Sequence, residues 1–261
     1  MLNISLVKAF IRHRLKSKTR HGIHSPFVYK LVDEVIYDVK PRKIFEKIEL
    51  LRSDLLKDER TITITDLGAG SHVNNNKQKL VKTLAKAALK PARLAQLLYR
   101  LANELQPSNI VELGTCLGIT TAYFAEAVTE GRIISIEGCP ETAAIAKENL
   151  KTLGITNVNI IVGNFDKVLP VVISDEDSID FVFIDGNHRK EATLNYFNML
   201  LPKMNERSVM IFDDIYWSKG MQEAWEEIKA DAAVTVSIDL FWIGIVFFKQ
   251  GQAKEHFRIK F

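Results

Sequence analysis

Two adjacent carboxylates, Asp213 and Asp214, close the apolar run VMIFDD; a third, Asp185, closes FVFIDGNH, with His188 three residues further on. Short apolar runs of this kind read as buried strands, so each acid stands at a strand's carboxyl end. In open α/β sheets ligands bind outside those ends. Carboxylates gathered there repel one another unless a cation or protonation neutralises them, and hard oxygen ligands of this sort suit Mg2+ or Ca2+. A single Asp after a strand is ordinarily a helix cap. Two such strands in succession turn the reading toward a site.

A second set of groups lies upstream, in residues 109–138. Ile110, Val111 and Leu113 form a short apolar strand that carries Glu112 and runs into a loop with two glycines four apart, Gly114 and Gly118. A ligand can approach bare backbone there. The helix that follows presents its first N–H groups to the loop, which suits a carboxylate or phosphate, and Thr120 adds a hydroxyl. The next strand, residues 133–136, ends at Glu137, placed to accept hydrogen bonds from a ribose diol. A dinucleotide fold would show G-x-G-x-x-G; this chain has E-x-G-x-x-x-G.

That second pattern resembles motif I of the class I S-adenosylmethionine-dependent methyltransferases. The resemblance implies that Glu112 lies near the cationic methionine end of S-adenosyl-L-methionine. It places the backbone of Gly114, Thr115, Cys116, Leu117 and Gly118, with Thr120, around that end. Glu137 and the adjoining Gly138 then take the ribose, and Asn164 and Phe165 flank the adenine. FVFIDGNH followed by VMIFDD also resembles the metal-binding segments of cation-dependent O-methyltransferases of the catechol and macrocin types. By that likeness Asp185, Asp213 and Asp214 hold Mg2+ or another divalent cation, Asp185 also borders the cofactor and the reacting atoms, and His188 stands where the catechol enzymes carry a lysine base. Asp214 matches the sugar enzymes rather than the catechol enzymes, which have Asn there. The implied activity is transfer of a methyl group to a hydroxyl of a small molecule.

The elements that must position these groups alternate from residue 109 onward. Strands at 109–113, 132–136, 157–162, 179–184 and 207–212 are separated by helices at 118–128, 140–153, 166–172 and 189–201, and a further helix at 219–232 follows. Such alternation implies parallel pairing in a doubly wound, Rossmann-like α/β sheet. Runs at 235–240 and 242–248 have almost nothing between them, so they pair antiparallel and complete a seven-stranded sheet whose last strand is antiparallel. The S-adenosylmethionine-binding domain is expected over 96–261. Residues 1–95 are expected to form an N-terminal helical extension or cap: an opening amphipathic helix, helices at 27–37 and 41–57, and a loop within 61–78. TITITDLGAGS in that loop imitates a strand and glycine turn, but no second strand with a terminal acid follows it. Residues 66–76 are expected to be a linker or lid, and 79–105 one helix.

The chain has 261 residues, is 47% hydrophobic and has a formal charge of +3, which fits one large domain with an appendage and is too mild for a general nucleic-acid binder. The cationic bias is local: Lys8, Arg12, Arg14, Lys16, Lys18, Arg20 and Lys30 precede the first acid, Asp33. A basic helix of this kind is either a docked helix with a solvated face, an arm for an anionic substrate, or a contact to a membrane surface. Two cysteines make neither a disulfide framework nor a zinc pattern. No apolar run is long enough to span a membrane and the opening residues lack the order of a secretion signal, so a cytoplasmic protein is expected. Tyr216, Trp217 and Trp242 serve as acceptor-pocket walls or as packing. A homo-oligomer is compatible with the chain. Two further readings stand beside the first: a metal-independent methyltransferase of the same fold acting on nitrogen, lipid or nucleic acid, and a non-catalytic cofactor-binding module. Nucleic acid is disfavoured because the fourth strand lacks an Asn/Asp-Pro-Pro-Tyr/Phe motif.

Overall fold

The computed structural model describes residues 4–65 and 77–261. In chain order the helices are α1 (Ile4–Lys16), α2 (Pro26–Lys30), α3 (Lys43–Leu55), α4 (Val81–Ala88), α5 (Ala92–Leu105), α6 (Ile119–Ala127), α7 (Pro140–Leu153), α8 (Phe165–Ser174), α9 (Lys190–Leu200) and α10 (Lys219–Ala230). The strands are β1 (Thr61–Ile64), β2 (Lys77–Leu80), β3 (Asn109–Leu113), β4 (Arg132–Glu137), β5 (Val158–Val162), β6 (Phe181–Ile184), β7 (Val209–Asp213), β8 (Val236–Asp239), β9 (Ile243–Phe247) and β10 (Glu255–Arg258). A π-helical turn, Leu31–Ile36, extends α2. Two compact units divide the chain: Met1–Asp38 with Glu176–Phe261, and Val39–Asp175. Strands β3 to β10 are counted in one mostly parallel sheet of eight.

In the unit formed by Val39–Asp175, β4 pairs in parallel with both β3 and β5. Ile110, Leu113, Ile133 and Ile136 are buried, as a strand covered on both faces requires. Helix α6 is apolar nearly all round and correspondingly buried. Its Tyr123 hydroxyl donates to Glu49 of α3 at 2.7 Å, and Phe45 of α3 packs edge-on against that ring at 5.5 Å. This anchors the helical segment that precedes β3.

The other unit orders its strands β10-β8-β9-β7-β6. Strand β9 runs antiparallel to both β7 and β8: the short connection predicted the pairing with β8, and the insertion beside β7 is the one the resemblance implied. The expected count of seven is corrected by β10, which pairs in parallel with β8 beyond that insertion. Phe257 and the adjoining Ile259 are buried, but only these two apolar residues alternate across a short polar tail, a weak signal beside the long runs. The expected single helix at 79–105 is also corrected. Lys77–Leu80 pairs with Thr61–Ile64 as an antiparallel ribbon, and Pro91, which cannot donate an amide hydrogen, separates α4 from α5. The expected linker or lid at 66–76 lies outside the described residues.

A polar clamp closes this unit where β8 ends. Buried Asp239 accepts from the Phe241 N–H at 2.9 Å and the Tyr216 hydroxyl at 2.8 Å, and its Oδ1 lies 2.8 Å from His13 Nε2 on α1. Burial alone would raise the Asp239 pKa, but the His13 hydrogen bond and charge, with the Phe241 and Tyr216 donors, outweigh it and hold the carboxyl below its usual range. Phe10 of α1 packs edge-on to Phe241 at 5.0 Å, and Tyr216 stacks on the same ring at 4.6 Å.

Two consequences are measurable. A Cβ at Gly244 of β9 would sit 2.6 Å from the Trp225 ring of α10, so Gly244→Val should destabilise the chain by about 1–3 kcal/mol in urea unfolding. Because the Asp239 pKa is lowered on folding, its contribution is present above the unfolded carboxyl value near about 4 and is lost as pH falls through the folded value. Asp239→Asn should therefore cost about 3 kcal/mol at neutral pH, and the gap between variant and parent should narrow in unfolding measurements as pH falls through the folded value.

Candidate active site

The glycine loop between β3 and α6 is shaped by three left-handed residues, Gly114 (φ 107°), Cys116 (φ 49°) and Gly118 (φ 80°). Glycine tolerates that conformation without steric penalty. Gly118 is also the N-cap of α6 and offers no side chain to cap it, and no acid stands in the helix's first turn. The opening of α6 therefore suits an anionic or polar ligand group.

Glu137 at the end of β4 is tied into this loop. One carboxylate oxygen accepts from the Cys116 N–H at 2.8 Å and the other from the Cys139 N–H at 2.9 Å. A carboxylate has about four acceptor positions, so these bonds aim the group without exhausting it. Glu112 faces inward: fully buried, it accepts from the Thr121 hydroxyl at 2.5 Å and the Ser135 hydroxyl at 2.6 Å. Ser135 also lies 2.5 Å from the Thr115 hydroxyl, which joins loop, β3 and β4 in one network. Ser135 and Thr121 are not among the predicted site residues. Ser135 stands two positions before Glu137 and so on the same face of β4, a period-two relation that could have found it. Thr120 is nearly buried in the first turn of α6. Asn164 is the N-cap of α8, accepting from the Asp166 N–H at 2.8 Å, and Phe165 opens that helix. Leu117 is buried, and Gly138 follows the end of β4.

The acid-rich group belongs to the other unit. Strand β7 delivers buried Asp213, and the turn after β6 delivers Asp185 and His188. One ligand atom from each of these three lies within 4.8 Å of the others. His188 Nε2 stands 3.6 Å from Asp185 Oδ1 and 4.0 Å from Asp214 Oδ2. Of the predicted acid trio, Asp185 and Asp213 come together with the imidazole, and the three-donor group is Asp185, His188 and Asp213. Asp214 is turned off the strand end by a left-handed backbone (φ 52°), fixed by its N–H bond to the Trp242 carbonyl at 2.8 Å. Asn187 is also left-handed (φ 51°), and its side chain donates to Tyr196 at 3.0 Å and accepts from Arg189. That bracing holds the 185–188 turn. Tyr216 is committed to Asp239, whereas Trp217 and Trp242 are exposed.

Known proteins match this architecture. A methyltransferase-domain family model matches residues 111–215. The chain is 28% identical over 182 residues to a catechol O-methyltransferase of Niastella koreensis, covering 66% of this chain and 74% of that protein. It is likewise 28% identical over 144 residues to a catechol O-methyltransferase of Mycobacterium tuberculosis, covering 54% of this chain and 64% of that protein. Among solved structures, a Podospora anserina methyltransferase bound to S-adenosylhomocysteine superposes with a TM-score of 0.59 at 13% identity, covering 96% of this chain and 97% of that one. A Bacillus cereus O-methyltransferase, also bound to S-adenosylhomocysteine, gives 0.56 at 19% identity over 81% and 93%. At these identities the superpositions speak for the fold.

Glu137→Ala removes the acceptor of two loop amides and should lower stability by about 1.5–3 kcal/mol in urea unfolding, with faster amide exchange at Cys116 and Cys139.

Proposed function

We propose that this chain, which matches a methyltransferase-domain model over residues 111–215 and is similar to O-methyltransferases, is a class I S-adenosylmethionine-dependent methyltransferase that methylates a hydroxyl oxygen of a small molecule with the help of a divalent cation. The observation that carries this reading is the convergence of Asp185, His188 and Asp213 within 4.8 Å. The two carboxylates suit a divalent ion, Asp214 adds a further oxygen close by, and the imidazole stands beside them as a base. Asp185, Asp213 and Asp214 are the residues we assign to hold it.

When bound, a divalent cation lowers the pKa of an acceptor hydroxyl and fixes its oxygen. S-adenosyl-L-methionine brings an electrophilic methyl group on its sulfonium. The chain's own residues supply orientation and proton handling. Glu137, with Gly138 beside it, accepts hydrogen bonds from ribose hydroxyls. The backbone of Gly114, Thr115, Cys116, Leu117 and Gly118, together with Thr120 and the charge of Glu112, receives the methionine end. Asn164 and Phe165 border the adenine. His188 takes the acceptor's proton, and Asp185, whose Oδ1 lies 3.6 Å from Nε2, stabilises the charged imidazole through space. Asp185 also borders the cofactor. Holding oxygen and methyl in line is the larger share of the catalysis.

One observation favours a second reading. His188 lies within 4.0 Å of both Asp185 and Asp214, so a protonated imidazole can offset these acids without a metal. In that reading a neutral His188 is the base, and the imidazolium formed when it takes the acceptor's proton is offset by these two acids.

Calorimetry with S-adenosylhomocysteine should show binding, and turnover of S-adenosylmethionine against a panel of catechols and sugars should identify acceptors. EDTA and Asp213→Ala should each reduce kcat/KM by about 100-fold or more. Turnover indifferent to EDTA but lost in His188→Ala would select the metal-independent reading. No binding at millimolar S-adenosylhomocysteine would overturn both.

A further inference from the structure

Helix α1 has two faces, and only one is used by the fold. Phe10 and His13 point inward, onto Phe241 and Asp239. On the opposite side Val7, Ile11 and Leu15 are 37%, 53% and 82% exposed. Spaced four apart, they form one row along the outer surface of a helix about 20 Å long. By helical angle, Lys8 and Arg12 flank the row on one side and Arg14 on the other, and Lys16 ends the helix. No acid precedes Asp33. Beside the helix stands Trp242, 42% exposed, its ring 6.2 Å from that of Phe10.

We propose that α1 docks the protein flat on an anionic lipid bilayer. The inner face already fixes the helix on the fold, so the outer apolar row adds nothing to folding and costs solubility. An apolar row with cations on both flanks is the pattern of a helix lying in the headgroup region: the apolar side chains enter the acyl boundary and the cations remain among lipid phosphates. Charge decides against the other occupants. A second copy of α1 across a two-fold axis would bring Lys8, Arg12 and Lys16 against their own equivalents. A nucleic acid would meet the cations, but its phosphate backbone offers nothing to the apolar row. This is peripheral docking, since no helix among the described residues is long and apolar enough to cross a membrane.

The test is co-sedimentation of the full chain with vesicles of pure phosphatidylglycerol and of pure phosphatidylcholine. Partition into the anionic vesicles should exceed that into the neutral ones by at least about tenfold. The double variant Ile11→Ser, Leu15→Ser and the double variant Lys8→Gln, Arg12→Gln should each lower partition about tenfold, with thermal unfolding unchanged because these side chains are exposed. The proposal is overturned by equal partition into both lipids or into neither, or by variants that bind like the parent. It is also overturned if light scattering finds a dimer that the serine variant dissolves, or if the parent binds duplex DNA at physiological salt more tightly than it binds the vesicles.

Discussion

Crowding of like charge governs the acidic end of this molecule. Asp185 and Asp213 bring carboxylate oxygens within 4.8 Å of one another, and Asp214 stands nearby. At the effective dielectric of a protein surface, two such charges repel by roughly 3 kcal/mol. A positive group in the same space relieves that repulsion, and His188 stands there. The left-handed backbone at Asn187 and Asp214, a conformation that Asn and Asp adopt more readily than other non-glycine residues, sets the path of both turns.

The glycine loop solves the opposite problem. Its amides are donors, and the acid at the end of β4 is aimed by two of them, through Cys116 and Cys139. The buried Glu112 is compensated within the same unit by hydroxyls from Thr121 and Ser135. One unit thus presents donors around a single organised carboxylate, and the other presents acids around a single imidazole. A cofactor with a ribose and a cationic end matches the first, and a divalent cation or a proton matches the second.

The strand ends were legible in the sequence because a continuous apolar run that stops at Glu or Asp marks where a buried strand emerges from the core. Residues 109–113, 132–136 and 140–153 were bounded to within a residue, and the antiparallel pairing of β9 with β8 followed from the short connection between them. Polar elements were not legible. The residues of β2 and β10 carry too few apolar positions to announce a strand, and each owes its conformation to a partner ladder elsewhere in the chain. Within the site, the histidine and acids were found by type and spacing. The turn of Asp214 away from the strand end was not, because it depends on φ at that residue and on the Trp242 carbonyl that accepts its N–H, neither of which leaves a mark in residue identity.

The connection from Asp239 to Ile243 serves two masters. Its Phe241, held at φ 75°, receives the first helix through Phe10, and the next residue gives its carbonyl to the amide of Asp214. Helix and acidic corner are far apart in sequence, yet a single short bend is braced against both. Any load on the helix is mechanically contiguous with the corner, so the placement of α1 and that of the acidic group have no independent geometry.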